Sequence, residues 1–252
     1  MNYALITGAT SGIGMQMALY LHKLGWKLVL SGRNEKILKR MAEKFGVDTK
    51  YIALDLSERN APERLYQFCQ GMQIDFLINN AGFGVFGEFT ETDLDTELEL
   101  IDVNIRAVHI LTKLFLKDFV KRDRGMILNV ASSAGFLAGP LLSSYYASKN
   151  YVVRLTTAIR EELRRKGSHV QIGALCPGPV DTNFNNRAGV TFSAKPISPK
   201  YAAVYGIDGS FEGKGIMIPT LGMKLGVLAS KFVPEEIAVR FIYELQKRKE
   251  LT

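Results

Sequence analysis

The sequence predicts an α/β protein: a doubly wound parallel sheet of about seven strands, helices on both faces and a C-terminal helical tail. Three observations predict it. Seven short apolar runs recur along the 252 residues. Those runs are near-continuously apolar rather than alternating, as strands buried on both faces are. Between them lie longer segments whose apolar positions step by three or four, the signature of a helix stripe. Strand–helix–strand repetition with right-handed crossovers then gives a parallel sheet covered on both sides. With 47% apolar and 23% charged residues the chain can fill a core, and its length suits one domain over residues 1–252.

Strands are expected at residues 3–6, 27–30, 51–54, 75–78, 126–130, 171–175 and 215–218, most of them bounded by Gly, Asn, Asp or Pro. Residues 93–120 read as one long helix, because Leu94, Leu98, Ile101, Ile105, Val108, Phe115 and Phe119 step by three, four or seven. Residues 183–214 are loop-like, with a short helical pattern near 199–211, and read as a substrate-loop region. The extension 219–252 carries Leu221, Met223, Leu225, Val227, Leu228, Phe232 and Val233 with few charges. Pro234, Glu235 and Glu236 open a last helix whose Ile237, Ala238, Phe241, Ile242 and Leu245 share one face. Two readings of this extension stand: packing on the domain or a partner subunit, or a lid or membrane-surface anchor beside the site.

The net charge of +7 invites a nucleic-acid reading. Its basic clusters, Lys121-Arg122, Arg164-Arg165-Lys166 and Lys247-Arg248-Lys249, each close a helix-like segment, where cations complement the helix dipole. No nucleic-acid partner is expected. Cys69 and Cys176 permit at most one bridge, which excludes a disulfide framework and suits a reducing compartment. No run of 18 apolar residues exists, and the first strand leaves no room for a signal peptide, so a cytoplasmic protein is expected. His22, His109 and His169 are scattered, and no metal is expected.

The first strand runs into Thr7-Gly8-Ala9-Thr10-Ser11-Gly12-Ile13-Gly14 and then a helical pattern. Glycines at a strand-to-helix turn let the backbone approach a pyrophosphate, which the helix start meets with free N–H groups. A site for NAD places an acid roughly 20 residues on, at the end of the second strand, for the ribose hydroxyls. Here Ser31-Gly32-Arg33-Asn34 stands there instead. Arg33 with Ser31 suits a 2′-phosphate, which a guanidinium binds with paired hydrogen bonds, so NADP is the expected cofactor.

Further along come Asn79-Asn80-Ala81-Gly82, Asn104 in the long helix, Ser132 thirteen residues before Tyr145, Tyr145-Tyr146-Ala147-Ser148-Lys149, and a P-G-x-V-x-T stretch from Pro177 to Thr182. Together with T-G-x-x-x-G-x-G, these motifs make residues 3–182 closely resemble the short-chain dehydrogenase/reductase family. The resemblance implies a Rossmann-like dinucleotide fold and hydride transfer between NADP(H) and a carbonyl or secondary alcohol. It implies Tyr145 as the proton donor or acceptor, Lys149 as its neighbour and holder of the nicotinamide ribose, Ser132 orienting the carbonyl, and Asn104 fixing a water in the proton relay. Cofactor contacts fall by resemblance on the cradle residues Gly8 and Thr10 to Gly14, and on Asp55, Leu56, Asn80, Ala81, Gly82, Pro177, Gly178, Val180 and Thr182. For Asp55 a cap on the following helix is a nearly equal alternative. A homodimer or homotetramer is also implied, although the family's D-G-G turn after the last strand is replaced here by Pro219 and the apolar tail.

Chemistry supports the assignment. Tyr145 and Lys149 lie four apart and share a helix face; an ammonium beside a phenol favours the phenolate and is expected to lower its pKa from about 10. Asn104 falls within the apolar stripe, where a polar side chain needs a buried partner. Candidate pocket residues are Phe83, Phe86, Phe136, Leu137, Leu141, Phe184 and Phe192, which favour an apolar or bulky ketone, aldehyde or 3-oxoacyl group. The rival readings are an NADP-binding regulator without turnover and a membrane-surface module built on the tail.

Overall fold

In the computed structural model, which describes residues 2–182 and 196–247, seven strands form one parallel sheet. They are β1 (Tyr3–Thr7), β2 (Lys27–Gly32), β3 (Thr49–Ala53), β4 (Ile74–Asn79), β5 (Met126–Val130), β6 (Gln171–Leu175) and β7 (Ile216–Met217). Their spatial order is β3-β2-β1-β4-β5-β6-β7. The chain winds outward from β1 in one direction and, at β4, resumes on its other side. The crevice for a ligand opens at that reversal, beyond the carboxyl ends of β1 and β4.

Alternate residues of one strand feed different cores. Leu5, Val29, Leu77, Ile127 and Ile172 pack on one face with Leu65 of α3 (Ala61–Phe68), Phe115 and Phe119 of α5 (Val108–Lys121), and Leu163 of α6 (Ser143–Arg165). Ala4, Ile6, Leu28, Leu30 and Ile78 point the other way, onto Met17 and Leu21 of α1 (Gly12–Lys23) and Leu38 of α2 (Glu35–Phe45). This two-sided burial is why the strands read as unbroken apolar runs. Residues 199–211 form the helix their pattern predicts, α7 (Pro199–Phe211), whose Ala203 and Ile207 join the second core and cover the sheet. Two further helices, α8 (Leu221–Ser230) and α9 (Glu235–Lys247), follow β7.

The single helix expected over 93–120 is interrupted. It starts as α4 (Leu94–Ile101), widens to a π-helical turn over Asp102–Ala107, and continues as α5. Asp93 caps its start, accepting a hydrogen bond from the Thr96 N–H at 2.8 Å. A wide turn admits one extra residue and so rotates the helix before it relative to the helix after it. The apolar stripe is therefore split. Val108, Phe115 and Phe119 are buried, whereas Leu94, Leu98 and Ile101 face solvent, and Leu100 with Glu97 is buried in their place.

Candidate active site

The turn after β1 must carry the chain over the sheet edge into α1. Gly8 (φ +65°) and Gly12 (φ +51°) hold the left-handed conformation that side chains rarely adopt. Gly14 is required for close packing instead, because a Cβ there would lie 2.3 Å from the Gly8 carbonyl oxygen and 2.4 Å from Asn80 Nδ2. Ser11 makes no side-chain cap bond, so the first N–H groups of α1, with the positive end of its dipole, face the crevice. Asn80 laces the two central strands together. Its Nδ2 donates to the Thr7 and Gly8 carbonyls at 2.9 and 3.2 Å, and its N–H donates to Thr7 Oγ1 at 3.0 Å.

A cavity of about 980 Å³ extends from this cradle past the ends of β2 and β3 to the start of α6. Tyr145, Tyr146 and Lys149 of α6 line it, with Ser132 from the end of β5. Lys149 Nζ donates to the Val130 carbonyl at 3.0 Å and lies 5.8 Å from the centroid of the Tyr145 ring. Ser132 Oγ accepts from the Ala134 N–H at 3.1 Å and shares a hydrogen bond with the Tyr145 side chain. Asn104 is fully buried at the wide turn. Its Nδ2 donates to the Phe83 carbonyl at 2.9 Å and to Ser148 Oγ at 3.1 Å, and its Oδ1 accepts from the Phe83 N–H at 3.1 Å. Gly82 completes the group: a Cβ on it would come within 2.9 Å of Asn104 Oδ1 and 3.2 Å of Lys149 Nζ.

Burial governs the two ionisable groups. It pushes the Tyr145 phenol up to about 12, against the Ser132 hydrogen bond that pulls it down, and pushes the Lys149 ammonium down to about 8. The expectation that Lys149 draws the phenol down is therefore not met in this structure. The amine is directed at the Val130 carbonyl, and both groups are desolvated.

Residues 2–191 match the family described as short chain dehydrogenase. This chain is a short-chain dehydrogenase. It is 36% identical over 251 residues to the very-long-chain 3-oxoacyl-CoA reductase of Rattus norvegicus, covering 96% of this chain and 77% of that one. Against the mouse protein of the same name the match spans 57% of its length. Among solved structures, a short-chain dehydrogenase from Sphingobium yanoikuyae in complex with NADPH superimposes with a TM-score of 0.83 at 26% identity, covering 92% of this chain and 93% of that one. One from Burkholderia phymatum in complex with NAD gives 0.81 at 25%, covering 90% and 91%. The short-chain dehydrogenase is accordingly a pyridine-nucleotide oxidoreductase.

Most residues singled out in the short-chain dehydrogenase sequence line the cavity: Thr10 to Ile13, Arg33, Asp55, Leu56, Asn80 to Gly82, Pro177, Gly178, Val180 and Thr182. Ser31 does not. It is wholly buried in β2 between β1 and β3, and its hydroxyl has no partner among the described residues, so Gly32 and Asn34 flank Arg33 at the cavity instead. Gly14 acts by close packing rather than at the wall. Asp55 accepts from the Ser57 N–H at 3.0 Å and its hydroxyl at 2.8 Å, forming a turn ahead of α3, and pairs with Arg33 at 3.6 Å. Burial acts upward on its carboxyl, but the Ser57 bonds and the Arg33 charge bring it below the usual range.

Of the pocket candidates, Phe83 and Leu137 line the cavity. Phe86, Phe136 and Leu141 do not: Phe136 packs among Ala131, Val152 and Val153, and Leu141 is buried at φ +63° with its carbonyl accepting from the Gly87 N–H. Phe184 and Phe192 lie outside the described residues. Of the readings of the extension 219–252, a position beside the site, as its roof, is the one its described part adopts, though its residues were not among the pocket candidates. Residues of α8 and α9 close one side of the cavity, and Gln246 Nε2 donates to the Tyr146 hydroxyl at 2.8 Å. The signal was present, since Gln246 continues the stripe of Ile242 and Leu245.

Proposed function

We propose that this short-chain dehydrogenase uses NADPH to reduce an apolar or bulky carbonyl, with a 3-oxoacyl thioester as the leading substrate class. The observation that carries the reading is one cavity joining a pyrophosphate cradle, the Ser132–Tyr145 pair and an apolar wall. The glycine turn and uncapped α1 start fit a dinucleotide. When bound, it supplies the hydride. Tyr145 then gives its proton to the carbonyl oxygen, and the Ser132 hydroxyl orients that oxygen. Lys149 sits one helical turn from Tyr145, where an ammonium steadies the phenolate left behind. Asn104 braces the loop after β4 against α6, its side chain being engaged by Phe83 and Ser148. The name of the rat relative favours the thioester.

NADP preference is read from Arg33 at the end of β2, where no carboxylate stands. Arg33→Ala is expected to weaken NADPH binding by tenfold or more and to leave NADH within about twofold; equal losses in fluorescence titrations with the two cofactors would refute the assignment. Turnover is tested by NADPH absorbance loss across a panel of ketones, aldehydes and 3-oxoacyl thioesters. A homodimer or homotetramer is supported by the solvent-facing Leu94, Leu98 and Ile101 of α4. The cytoplasmic assignment rests on Cys69 and Cys176, both buried and free, and no described helix is long and apolar enough to cross a membrane.

A further inference from the structure

We infer that the face of α9 toward the cavity, with α8 beside it, is a subsite for a linear aliphatic chain running from the reacting carbonyl. The inference rests on the carbonyl-reductase reading above and names which part of the substrate the roof recognises. Six positions of α9 line the cavity, Ile237, Ala238, Phe241, Ile242, Leu245 and Gln246, spaced so that they form one continuous stripe. The stripe has a polar end and an apolar run. Gln246, nearly fully buried, bonds the hydroxyl of Tyr146, whose ring centroid lies 6.2 Å from that of Tyr145. This end of the stripe is therefore fixed beside the proton donor. From there the stripe leads away over apolar side chains.

Met223 and Val227 of α8 and Val233 of the α8–α9 turn extend the same apolar wall. Packing within the chain leaves that wall incompletely covered: Ile237 is 58% exposed, Phe241 65% and Leu245 38%. An occupant must therefore be apolar and continuous with the catalytic group. A chain attached to the substrate carbonyl meets both conditions. At 1.5 Å per helical residue, Gln246 to Ile237 spans about 13 Å, the reach of a zigzag of roughly ten carbons. Among the described residues, α8 and α9 present no cation or carboxylate to the cavity along that length, so an anionic extension finds no partner there.

The test is a series of 3-oxoacyl thioesters of rising chain length, each kept below its micelle concentration, with NADPH as reductant. For the unaltered protein kcat/KM should rise by about fourfold per added methylene, and level off near ten carbons beyond the carbonyl. Phe241→Ser and Ile237→Ser should each flatten that slope, costing long substrates far more than short ones. A folding control is NADPH binding, which both variants should retain. A flat series in a protein that turns over, or the same slope in both variants as in the unaltered chain, would overturn the subsite while leaving the reductase reading intact. Failure to oxidise NADPH with any carbonyl would instead defeat the underlying reading. Sedimentation and vesicle flotation complete the design. If the unaltered chain self-associates or binds vesicles through this face and Phe241→Ser abolishes that, the face belongs to a second copy or a lipid surface, and the subsite is overturned.

Discussion

Tyr145→Phe is expected to abolish carbonyl turnover, lowering kcat by about a thousandfold or more, while NADPH still binds. In the proposed mechanism the phenol is the acid: it shares a hydrogen bond with Ser132 inside the cavity, and burial pushes its pKa further up, to about 12. Phenylalanine preserves the ring and its packing and deletes only the hydroxyl. General acid–base catalysis alone contributes a factor of about 10²–10⁴, and the expected loss lies in the upper half of that range. Tyr146→Phe is the matched control. Its hydroxyl accepts from Gln246 Nε2 rather than facing Ser132, and its ring lies against Gly139, where a Cβ would come within 2.3 Å of it. Steady-state kinetics on the pair separates catalysis from regulation: turnover surviving in Tyr145→Phe but lost in Tyr146→Phe would reassign the proton donor. No turnover in the unaltered chain would favour a cofactor-binding regulator.

Gly14→Ala is expected to damage both the fold and cofactor binding. Its Cβ would fall 2.3 Å from the Gly8 carbonyl oxygen and 2.4 Å from Asn80 Nδ2. The first neighbour is backbone in a turn whose φ of +65° leaves little freedom to yield, and the second is the side chain that ties β4 to β1. Relief must come from α1 moving off the turn, which displaces the N–H groups that face the crevice. Overpacking of this kind costs about 1–3 kcal/mol, occasionally more. Denaturant unfolding should show that loss, and NADPH affinity should fall by more than tenfold. Gly25→Ala supplies the contrast: at φ +81° it is strained, but no atom lies within 4 Å of its Cβ, so stability falls and cofactor affinity holds.

Those two experiments bear on the parts of the molecule that were most legible in the sequence. The central strands could be read because they are buried on both faces, which favours apolar residues along most of their length, and the cradle could be read because only glycine fits its backbone. Tyr145 and Lys149 came together because a helical turn fixes their separation. Long-range geometry was less legible. The stripe over residues 94–119 looked like one face, but the wide turn at Asp102–Ala107 rotates its first half outward, and no residue type marks that turn in advance. Ser31 illustrates a second limit: Gly32 and Arg33 after it line the cavity, yet the strand pairs it on both sides and buries it. The roof depended on where α9 folds back, which local periodicity does not encode, although the apolar stripe itself was plain. The direction of the Tyr145 shift turned on competition between a nearby charge and desolvation, and only coordinates place the amine against the Val130 carbonyl.

The most direct measurement follows an isotope. The protein is incubated with a 3-oxoacyl thioester and NADPH carrying deuterium on the transferable position of the nicotinamide ring, and the alcohol product is weighed by mass spectrometry. A reductase of this design delivers that deuterium to the carbinol carbon, giving a 3-hydroxyacyl product heavier by one deuterium and one oxidised cofactor per product. Deuterium that stays on the cofactor with the whole carbonyl panel, or product formed without the label, would contradict it.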